Sequence, residues 1–424
     1  MRIVFSTYGT FGDVNPLIAL SLELKRRGHQ PVLAIPEMFR AKVEPLGIGF
    51  APVRPEQDPN DTRLIAMIYD IKHGTETGLR KFLFPSLRES YQDLLAAVEA
   101  DGGADLLVTG ELAYAGPIVA EKTGVPWASY VLAPFSFFSG YDPPVLPPYP
   151  MLAKMQDAMP PLGHVVARFA RLVTRKWPEP VYALRRELGM AQGKDPIFDA
   201  KHSESRVLAL YSSVMGAPQP DWPAAVKITG FAFYDGSGSE GALPPELAAF
   251  LESGPAPLVF TLGSAAVMHA GDFYEQSAEA AEILGQRAVL LIGADDRNLP
   301  KRKLPETVCV ARYAPYSKIF PRASVIVHQA GIGTTAQALR AGRPMLVMPY
   351  SHDQPDNARR VRKLGVAEVL GRTQYKAKPA ARLIAQLLSD ESYGSRAAEV
   401  AQQVAEENGT VTACDALEAV SRHP

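Results

Sequence analysis

Cysteine is scarce in this chain, and no apolar run is long enough to cross a membrane. Only two cysteines, Cys309 and Cys414, occur among 424 residues, too few for a disulfide framework or a thiolate metal site. The apolar runs all fall short of the roughly 20 residues that a transmembrane helix needs. The opening segment MRIVFSTYG is typical of a strand rather than of a secretory signal. We therefore expect a soluble, cytoplasmic protein in a reducing compartment.

An excess of either charge is also missing. The 44 Lys and Arg residues balance 45 Asp and Glu residues, which leaves a formal net charge of -1. Binding to nucleic acid generally needs a basic face, so we expect no nucleic-acid partner. The exception is a local cationic cluster, Arg168, Arg171, Arg175 and Lys176. Such a cluster indicates either a solvated helix face or peripheral contact with an anionic membrane surface.

Apolar residues are abundant and follow an alternating pattern. They make up 47% of the chain, enough to fill more than one core at this length. In the first half, strand-like runs such as Ile3–Ser6 and Leu106–Thr109 alternate with helical segments such as Pro16–Arg27. The alternation resumes at Leu258–Thr261. This pattern predicts an α/β protein built from doubly wound parallel sheets.

A glycine-, serine- and proline-rich stretch interrupts this alternation at residues 230–245. Such a composition is typical of a linker between domains. We therefore predict a Rossmann-like domain over residues 1–229 and a second one over residues 246–408. A final helical segment, residues 409–424, is expected to pack back on the first domain.

The clearest chemical motif begins at His328. Strand-like runs Ser324–Val327 and Met345–Met348 bracket a glycine turn that opens a helical segment. Unpaired N–H groups and the positive end of the helix dipole converge at such a turn, which predicts an anion site. Its candidate residues are His328, Gly331, Gly333, Thr334 and Thr335. Ser264, in the loop after Leu258–Thr261, is either a second phosphate contact or part of an ordinary turn.

Polar groups follow the second of these runs. Asp353 and Gln354 are suited to binding vicinal hydroxyls, although a plain surface loop is the alternative. Together with the anion turn they predict a site for a nucleotide-sugar donor. Tyr313 and Tyr316 lie just before the turn, where they either stack on a nucleobase or pack as loop aromatics.

A carboxylate, Asp13, follows the first strand after a turn that contains Gly9 and Gly12. Open α/β folds bind ligands at this edge of the sheet, which makes Asp13 a candidate catalytic residue. The alternative is helix capping by Asp13 or by Asn15 before Pro16. The local sequence leaves both alternatives open.

Taken together, these motifs resemble those of family 1 glycosyltransferases with the GT-B fold, over nearly the whole chain. The segment His328–Asn357 is similar to the donor signature of that family, and GDVNPLIAL is similar to the start of its bacterial members. The strongest resemblance is to the catalytic chain of rhamnolipid rhamnosyltransferases and to enzymes that glycosylate antibiotics. The resemblance implies two Rossmann-like domains that face each other across a cleft.

The resemblance also implies an activity, namely inverting transfer of a hexose without a metal or other cofactor. The donor would be UDP-glucose or, next, dTDP-rhamnose. The acceptor would be a hydrophobic hydroxylated molecule such as a phenol, a polyketide or a hydroxy-lipid. Asp13 would act as general base. The donor contacts would be His328, the turn from Gly331 to Thr335 and Ser264 for the diphosphate, Asp353 and Gln354 for the sugar, and Tyr313 and Tyr316 for the base.

The acceptor is expected to bind the first domain. Glu111 lies near the position where some family members place a supporting carboxylate, and two neighbouring carboxylates would raise one pKa. The aromatic residues Phe135, Phe137, Phe138 and Tyr141 line an apolar pocket or belong to the core. Two other functions fit a similar fold, a sugar-nucleotide 2-epimerase and a non-catalytic nucleotide-sugar-binding subunit.

Overall fold

The computed structural model describes residues 1–56, 61–149, 159, 162–236 and 241–421. The chain forms two compact units. The first comprises Met1–Ile68, Lys72–Tyr234 and Glu407–Pro424, and the second comprises Tyr69–Ile71 and Asp235–Glu406. Among the described residues, none of the helices combines the length and apolar character of a membrane-spanning helix. The predicted linker, residues 230–245, lies partly outside the described residues.

The sheet of the first unit has seven parallel strands in the order β3-β2-β1-β4-β5-β6-β7. Its central strand is buried on both faces, with Ile3, Val4 and Phe5 wholly inaccessible, as expected for a parallel sheet covered by helices. The strands are β1 (Arg2–Ser6), β2 (Gln30–Ile35), β3 (Gly49–Pro52), β4 (Leu106–Gly110), β5 (Trp127–Val131), β6 (Val207–Ala209) and β7 (Val226–Ile228).

Helices cover both faces of this sheet, with the first helix in one core and the fifth, sixth and eighth in the other. The helices are α1 (Phe11–Arg26), α2 (Arg40–Val43), α3 (Thr62–Ile68), α4 (Gly74–Thr77), α5 (Leu87–Glu99), α6 (Gly116–Thr123), α7 (Leu162–Thr174) and α8 (Glu179–Glu187). The start of α1 corrects the prediction that it begins at Pro16. Thr10 caps the helix five residues earlier, because it forms a capping box with Asp13.

The second unit contains a six-stranded parallel sheet in the order β10-β9-β8-β11-β12-β13. Its strands are β8 (Leu258–Thr261), β9 (Ala288–Leu291), β10 (Val308–Ala311), β11 (Val325–His328), β12 (Met345–Val347) and β13 (Ala367–Val369). Its helices are α9 (Pro245–Glu252), α10 (Phe273–Ile283), α11 (Tyr316–Ile319), α12 (Ile332–Ala341), α13 (Gln354–Lys363), α14 (Ala377–Ser389) and α15 (Glu391–Glu406).

The last helix, α16 (Gly409–Ser421), belongs to the first unit and packs on α1. Arg27, at the end of α1, donates to Asp415 over 2.6 Å. Gly409 lies so close to the backbone of Gly230 and Phe231 that a Cβ would overlap it. The final residues of the predicted segment, 422–424, lie outside the described residues.

Each sheet has one point where the strand order reverses, between β1 and β4 in the first unit and between β8 and β11 in the second. Open α/β sheets bind ligands at the carboxyl ends of strands at such points. The segments that directly follow these four strands contain Asp13, Glu111, Ser264 and the turn after His328. The predicted fold class, α/β with two doubly wound Rossmann-like domains, is confirmed.

Candidate active site

Asp13 is the third residue of α1 and lies directly after the glycine turn of β1. Its Oδ2 accepts hydrogen bonds from the backbone N–H of Thr10 at 2.7 Å and from the Thr10 hydroxyl at 3.3 Å. A Cβ on Gly9, whose φ is 143°, would overlap the Asp13 carboxylate, so only glycine leaves room for it. Capping is therefore one function of this carboxylate, although the N-cap residue itself is Thr10 and not Asp13 or Asn15.

The surroundings of Asp13 raise the pKa of its carboxyl group, as a proton acceptor requires. Burial raises its pKa to about 6, while the hydrogen bonds from Thr10 oppose the shift and the Glu111 carboxylate adds to it. A carboxylate with this pKa is ionised at neutral pH and still basic enough to take a proton. The expectation that two neighbouring carboxylates raise one pKa agrees in direction, but burial is the larger cause.

Glu111 is the carboxylate that stays ionised. Burial disfavours its charged form, but the Lys201 ammonium at 2.9 Å and the Ser136 hydroxyl at 2.8 Å hold its pKa below the ordinary value. The side chain of Lys201 is only 8% exposed, whereas that of Glu111 is 33% exposed, so solvent reaches this pair only from the side of the carboxylate. The first unit therefore contains a fixed negative charge close to Asp13.

A pocket of about 500 Å³ opens beside Glu111, within the first unit. Its walls come from α6, from the start of β5 and from the segment before β6, and they include Tyr114, Ile118, Trp127 and His202. Burial, followed by the charge of Lys201, lowers the pKa of His202 to about 3. Its imidazole is therefore neutral at physiological pH and can donate or accept a hydrogen bond.

The four predicted pocket aromatics do not line this pocket, and their part in acceptor binding stays a prediction. Phe137 is buried and stacks on Trp222 with ring centroids 4.2 Å apart. Phe135 and Phe138 contact each other at 5.2 Å. Tyr141 is 55% exposed. The chain after β5 forms a short helical turn, Pro134–Phe137, and Phe137 is buried at its end, so the alternative of a core role holds for Phe137.

In the second unit, the turn between β11 and α12 leaves a helix N-terminus without a cap. Gly331 occupies the N-cap position, and no side chain accepts from the first turn of α12. The first N–H groups of a helix have no partner within it, so the positive end of the dipole is open to an anion. Gly333 is exposed in this turn, whereas Thr334 and Thr335 are buried. The hydroxyl of Thr335 has no hydrogen-bond partner among the described residues.

His328 does not have the predicted role as a side-chain donor to phosphate. It is the last residue of β11 and is completely buried. Its Nδ1 accepts the backbone N–H of Ala330 at 3.1 Å, and its Nε2 contacts the sulfur of Met345 at 3.3 Å. Burial lowers its pKa to about 3. The imidazole therefore supports the turn through its hydrogen bond with Ala330. β11 ends one residue later than predicted, at His328, so this side chain points into the core.

Gln329 is the side chain that the structure places in the turn instead, and sequence reasoning missed it. A Cβ on Gly263 or on Gly331 would overlap or crowd its amide nitrogen, so the amide lies between these two glycine turns. Its Oε1 is buried without a hydrogen-bond partner among the described residues. A buried acceptor without a partner is costly, and only a ligand that donates a hydrogen bond satisfies this oxygen, whereas the Nε2 of the same amide is the atom that donates to an anion. Its position as the first residue after the strand was the available signal.

Ser264 and the two tyrosines surround this turn differently. Ser264 is exposed in the loop after β8. The hydroxyl of Tyr316 contacts Thr261 at 2.8 Å and also bonds Thr334, and its ring stacks on Phe320 at 4.3 Å. Tyr316 therefore already supports the fold through its hydroxyl and one ring face. Tyr313 is 52% exposed. Nucleobase binding stays a prediction for both tyrosines.

Asp353 and Gln354 lie at the start of α13, after β12, the strand that pairs with β11 and so lies next to the anion turn. Asp353 accepts a hydrogen bond from Asn357 at 2.7 Å, and the same amide of Asn357 donates to the carbonyl of Ala330 at 3.0 Å. Gln354 accepts from the backbone N–H of Tyr350 at 2.9 Å. Asn357 therefore joins the predicted sugar loop to the predicted phosphate turn, a positioning role that the sequence did not reveal.

No metal centre accompanies these residues in the described part of the chain, where no three or more His, Cys, Asp or Glu side chains are grouped to hold an ion. The hydrogen-bond donors at the turn of the second unit are the first backbone N–H groups of α12 and the Nε2 of the Gln329 amide. They suit an anion.

Comparison with known proteins identifies the family to which this chain belongs. Residues 3–136 match the glycosyltransferase family 28 N-terminal domain, and residues 279–419 match the erythromycin biosynthesis protein CIII-like C-terminal domain. The chain is 31% identical over 430 residues to O-mycaminosyltylonolide 6-deoxyallosyltransferase of Streptomyces fradiae, covering 99% of this chain and 97% of the relative. It is 28% identical over 436 residues to vancomycin aglycone glucosyltransferase of Amycolatopsis orientalis, covering 100% and 98%.

A solved structure has the same fold. The glycosyltransferase VinC in complex with dTDP superposes with a TM-score of 0.69 at 19% identity, covering 100% of both chains. The chain belongs to the family 1 glycosyltransferases of the GT-B fold and is similar to bacterial antibiotic glycosyltransferases. That part of the resemblance noted from the sequence is confirmed. The likeness to rhamnolipid rhamnosyltransferases stays a prediction.

Proposed function

We propose that this enzyme transfers a hexose, with inversion, from a nucleoside diphosphate sugar to a hydroxyl of a hydrophobic small molecule. The observation that carries the proposal is a division of chemistry between the units. The first unit has a carboxylate with a pKa of about 6, and the second has an uncapped helix terminus with an unsatisfied amide. The names of the relatives, a 6-deoxyallosyltransferase and a glucosyltransferase, support hexosyl transfer.

The second unit binds the donor in this proposal. The diphosphate accepts hydrogen bonds from the N–H groups of α12 and from the Gln329 amide, while Asp353 and Gln354 bind the sugar hydroxyls. Negative charge grows on the diphosphate as it leaves. Fixed donors aimed at that charge bind the transition state more tightly than the ground state. The dTDP complex of VinC supports a nucleoside diphosphate leaving group.

The first unit binds and activates the acceptor. The acceptor hydroxyl attacks the anomeric carbon from the face opposite the diphosphate, and Asp13 takes its proton. Glu111 stays ionised through Lys201 and keeps the pKa of Asp13 raised. The pocket beside Glu111 receives the apolar part of the acceptor, with the neutral His202 as its hydrogen-bonding group. A phenol, a polyketide or a hydroxy-lipid has this combination of an apolar body and a hydroxyl.

Charge neutralisation at the diphosphate is assigned to these protein groups rather than to a metal ion. EDTA should therefore leave the rate unchanged, and added Mg²⁺ should not restore any loss. A rate that falls with EDTA and returns with Mg²⁺ would remove this part of the proposal.

A panel of donors tests the reaction itself. The purified enzyme is incubated with UDP-glucose, dTDP-glucose or dTDP-rhamnose and a panel of phenolic, polyketide and hydroxy-fatty-acid acceptors. Products are read by mass spectrometry, and the anomeric configuration is read by NMR. We expect a glycoside of inverted configuration, with UDP-glucose the first donor to try. Epimerised donor in the absence of acceptor, or donor binding without any product, would replace the proposal with one of the two alternatives.

A further inference from the structure

Helix α7 in the first unit exposes its large apolar side chains to solvent. Val165, Phe169, Leu172 and Val173 are 58%, 50%, 58% and 53% exposed. Their spacing of four, three and one residues places them on one face of the helix. Gly163 and Val166 are buried on the other side. The outer face of α7 is thus an apolar stripe, where a helix of a soluble domain normally presents polar residues.

Cations lie within and directly after this stripe. Arg168, Arg175 and Lys176 are exposed, and none of them forms an ion pair with any residue that the structure describes. The helix contains no Asp or Glu. Arg171 differs from the other three because it donates to both carboxylate oxygens of Asp199, at 2.6 and 2.8 Å. The predicted cationic cluster therefore divides into one structural arginine and three outward charges.

The apolar surface continues beyond the helix. Tyr141 is 55% exposed, and its ring meets His164, at the start of α7, edge-on with centroids 4.7 Å apart. A helix with large apolar side chains and basic residues on its outer face has the composition of an interfacial membrane helix. Exposed tyrosine suits the same interface, because its ring is apolar and its hydroxyl stays hydrated.

We propose that the outer face of α7, from Val165 to Lys176, docks this enzyme onto an anionic lipid surface. The charges favour lipid over a second copy of the chain. A two-fold interface through this face would bring three unpaired cations against three more, whereas anionic headgroups neutralise them.

Docking would also bring the acceptor pocket close to the lipid. Arg171 joins α7 to Asp199, and the residues around Asp199, among them Pro196 and Ala200, line the pocket beside Glu111. An apolar acceptor dissolved in the membrane would then be concentrated near the pocket. Lipid binding itself does not depend on the proposed reaction and is tested separately from it.

Co-sedimentation with unilamellar vesicles tests the proposal on the full-length enzyme. We expect binding to vesicles of equal parts phosphatidylcholine and phosphatidylglycerol and little binding to phosphatidylcholine vesicles. Binding should weaken as salt is raised, because salt screens the charges. A cation near a charged surface contributes about 1 kcal/mol, so Arg168→Gln should weaken binding by about fivefold. The double variant Phe169→Ser, Leu172→Ser should lose more than that.

The matched control is Ile283→Ser. Ile283 is 50% exposed, like Phe169, but lies on α10 of the second unit, so this change should leave vesicle binding intact. Thermal denaturation of each variant shows whether it folds. Absence of binding, or equal binding to both kinds of vesicle, would overturn the proposal. So would a dimer in gel filtration that Phe169→Ser dissociates, since a second copy would then cover this face.

Discussion

The two units contain similar strand–turn–helix junctions, but only the helix in the first unit is capped by side chains. Each has a glycine turn that leads from a strand at the reversal point of its sheet into a helix. In the first unit the helix terminus is closed, because Thr10 caps α1 and Asp13 returns to the backbone of Thr10. In the second unit Gly331 stands at the cap position and no side chain accepts from α12.

In the proposed function, this difference separates a base from an anion site. A carboxylate held in place by capping is fixed in position, and burial keeps it basic. A terminus without a cap keeps its N–H groups for an external anion. Similar backbone turns therefore both suit a negative group, a carboxylate of the chain itself in α1 and an external anion in α12, and the difference depends on the cap residue, Thr10 or Gly331, and on the third residue of the helix, Asp13 or Thr334.

Of all these variants, Asp13→Asn should cause the largest loss of turnover. Asparagine keeps an oxygen that can accept from Thr10, but it has no basic carboxylate. We expect turnover to fall by about 10²–10⁴-fold, the usual contribution of a general base. Calorimetry should show unchanged binding of the nucleoside diphosphate, because the anion site belongs to the other unit.

Asp415→Asn serves as its control. The Asp415 side chain is 58% exposed and pairs with Arg27 on the surface, so turnover should stay at the wild-type level. Turnover that survives Asp13→Asn would show that the closed turn is only a helix cap.

Gln329→Leu should act on the open turn. A hydrogen bond to a charged group contributes about 1.5–3 kcal/mol, so the affinity for the diphosphate should fall by about 10- to 100-fold. Folding should not suffer, since the amide oxygen is unsatisfied in the free protein. Gln337→Leu, on the helix that follows this turn and paired with Asp235, should affect stability and leave donor affinity unchanged. Equal loss of affinity in both variants would refute a direct contact from Gln329.

The pH profile should report the closed turn. Asp13 acts as a base only when ionised, and its pKa is about 6, so kcat/KM should be level above neutrality and about tenfold lower near pH 5. Glu111→Gln removes a negative charge that raises the pKa of Asp13, so the acidic limb should move to lower pH. Glu418→Gln, on α16 beside His29, should leave the limb in place. If the acidic limb of the pH profile does not move in Glu111→Gln, then the charge of Glu111 does not influence the pKa of Asp13.

Gly333→Ala should give the smallest effect. A Cβ at this position meets nothing within 4 Å in the free protein, so the melting temperature should not fall. A bound phosphate that approaches the backbone here would meet the added methyl group, and donor affinity should weaken several-fold. Gly394→Ala, equally open but on α15, should not change donor affinity. Unaltered affinity in both variants would place the anion away from the first turn of α12.

Prediction from sequence was most accurate for buried elements. The interior strand Leu258–Thr261 was predicted at its observed bounds, because burial on both faces makes it a continuous apolar run. The edge strands Gly49–Pro52, Val226–Ile228 and Ala367–Val369 were missed. They are partly exposed and mix polar, glycine or proline residues with apolar ones, so their pattern does not stand out from a loop.

The sequence predicted where the two turns of the site lie, but not which side chains enter them. Glycine spacing and strand ends located both turns, because backbone geometry at a strand-to-helix junction requires small residues. β11 ends one residue later than predicted, at His328. Because neighbouring strand residues face opposite sides, the His328 side chain points into the core and the Gln329 side chain lies in the turn.

The order of apolar runs, glycine turns and the carboxylate at position 13 was enough to determine the fold class, the family and the two turns where chemistry is expected. These features depend on local sequence and on burial, which short segments already express. Only the tertiary structure decided that burial raises the pKa of Asp13, that Lys201 holds Glu111 ionised, and that Asn357 ties the sugar loop to the anion turn. Each of these contacts joins residues whose proximity or burial depends on packing, and no local pattern encodes which long-range neighbours will meet.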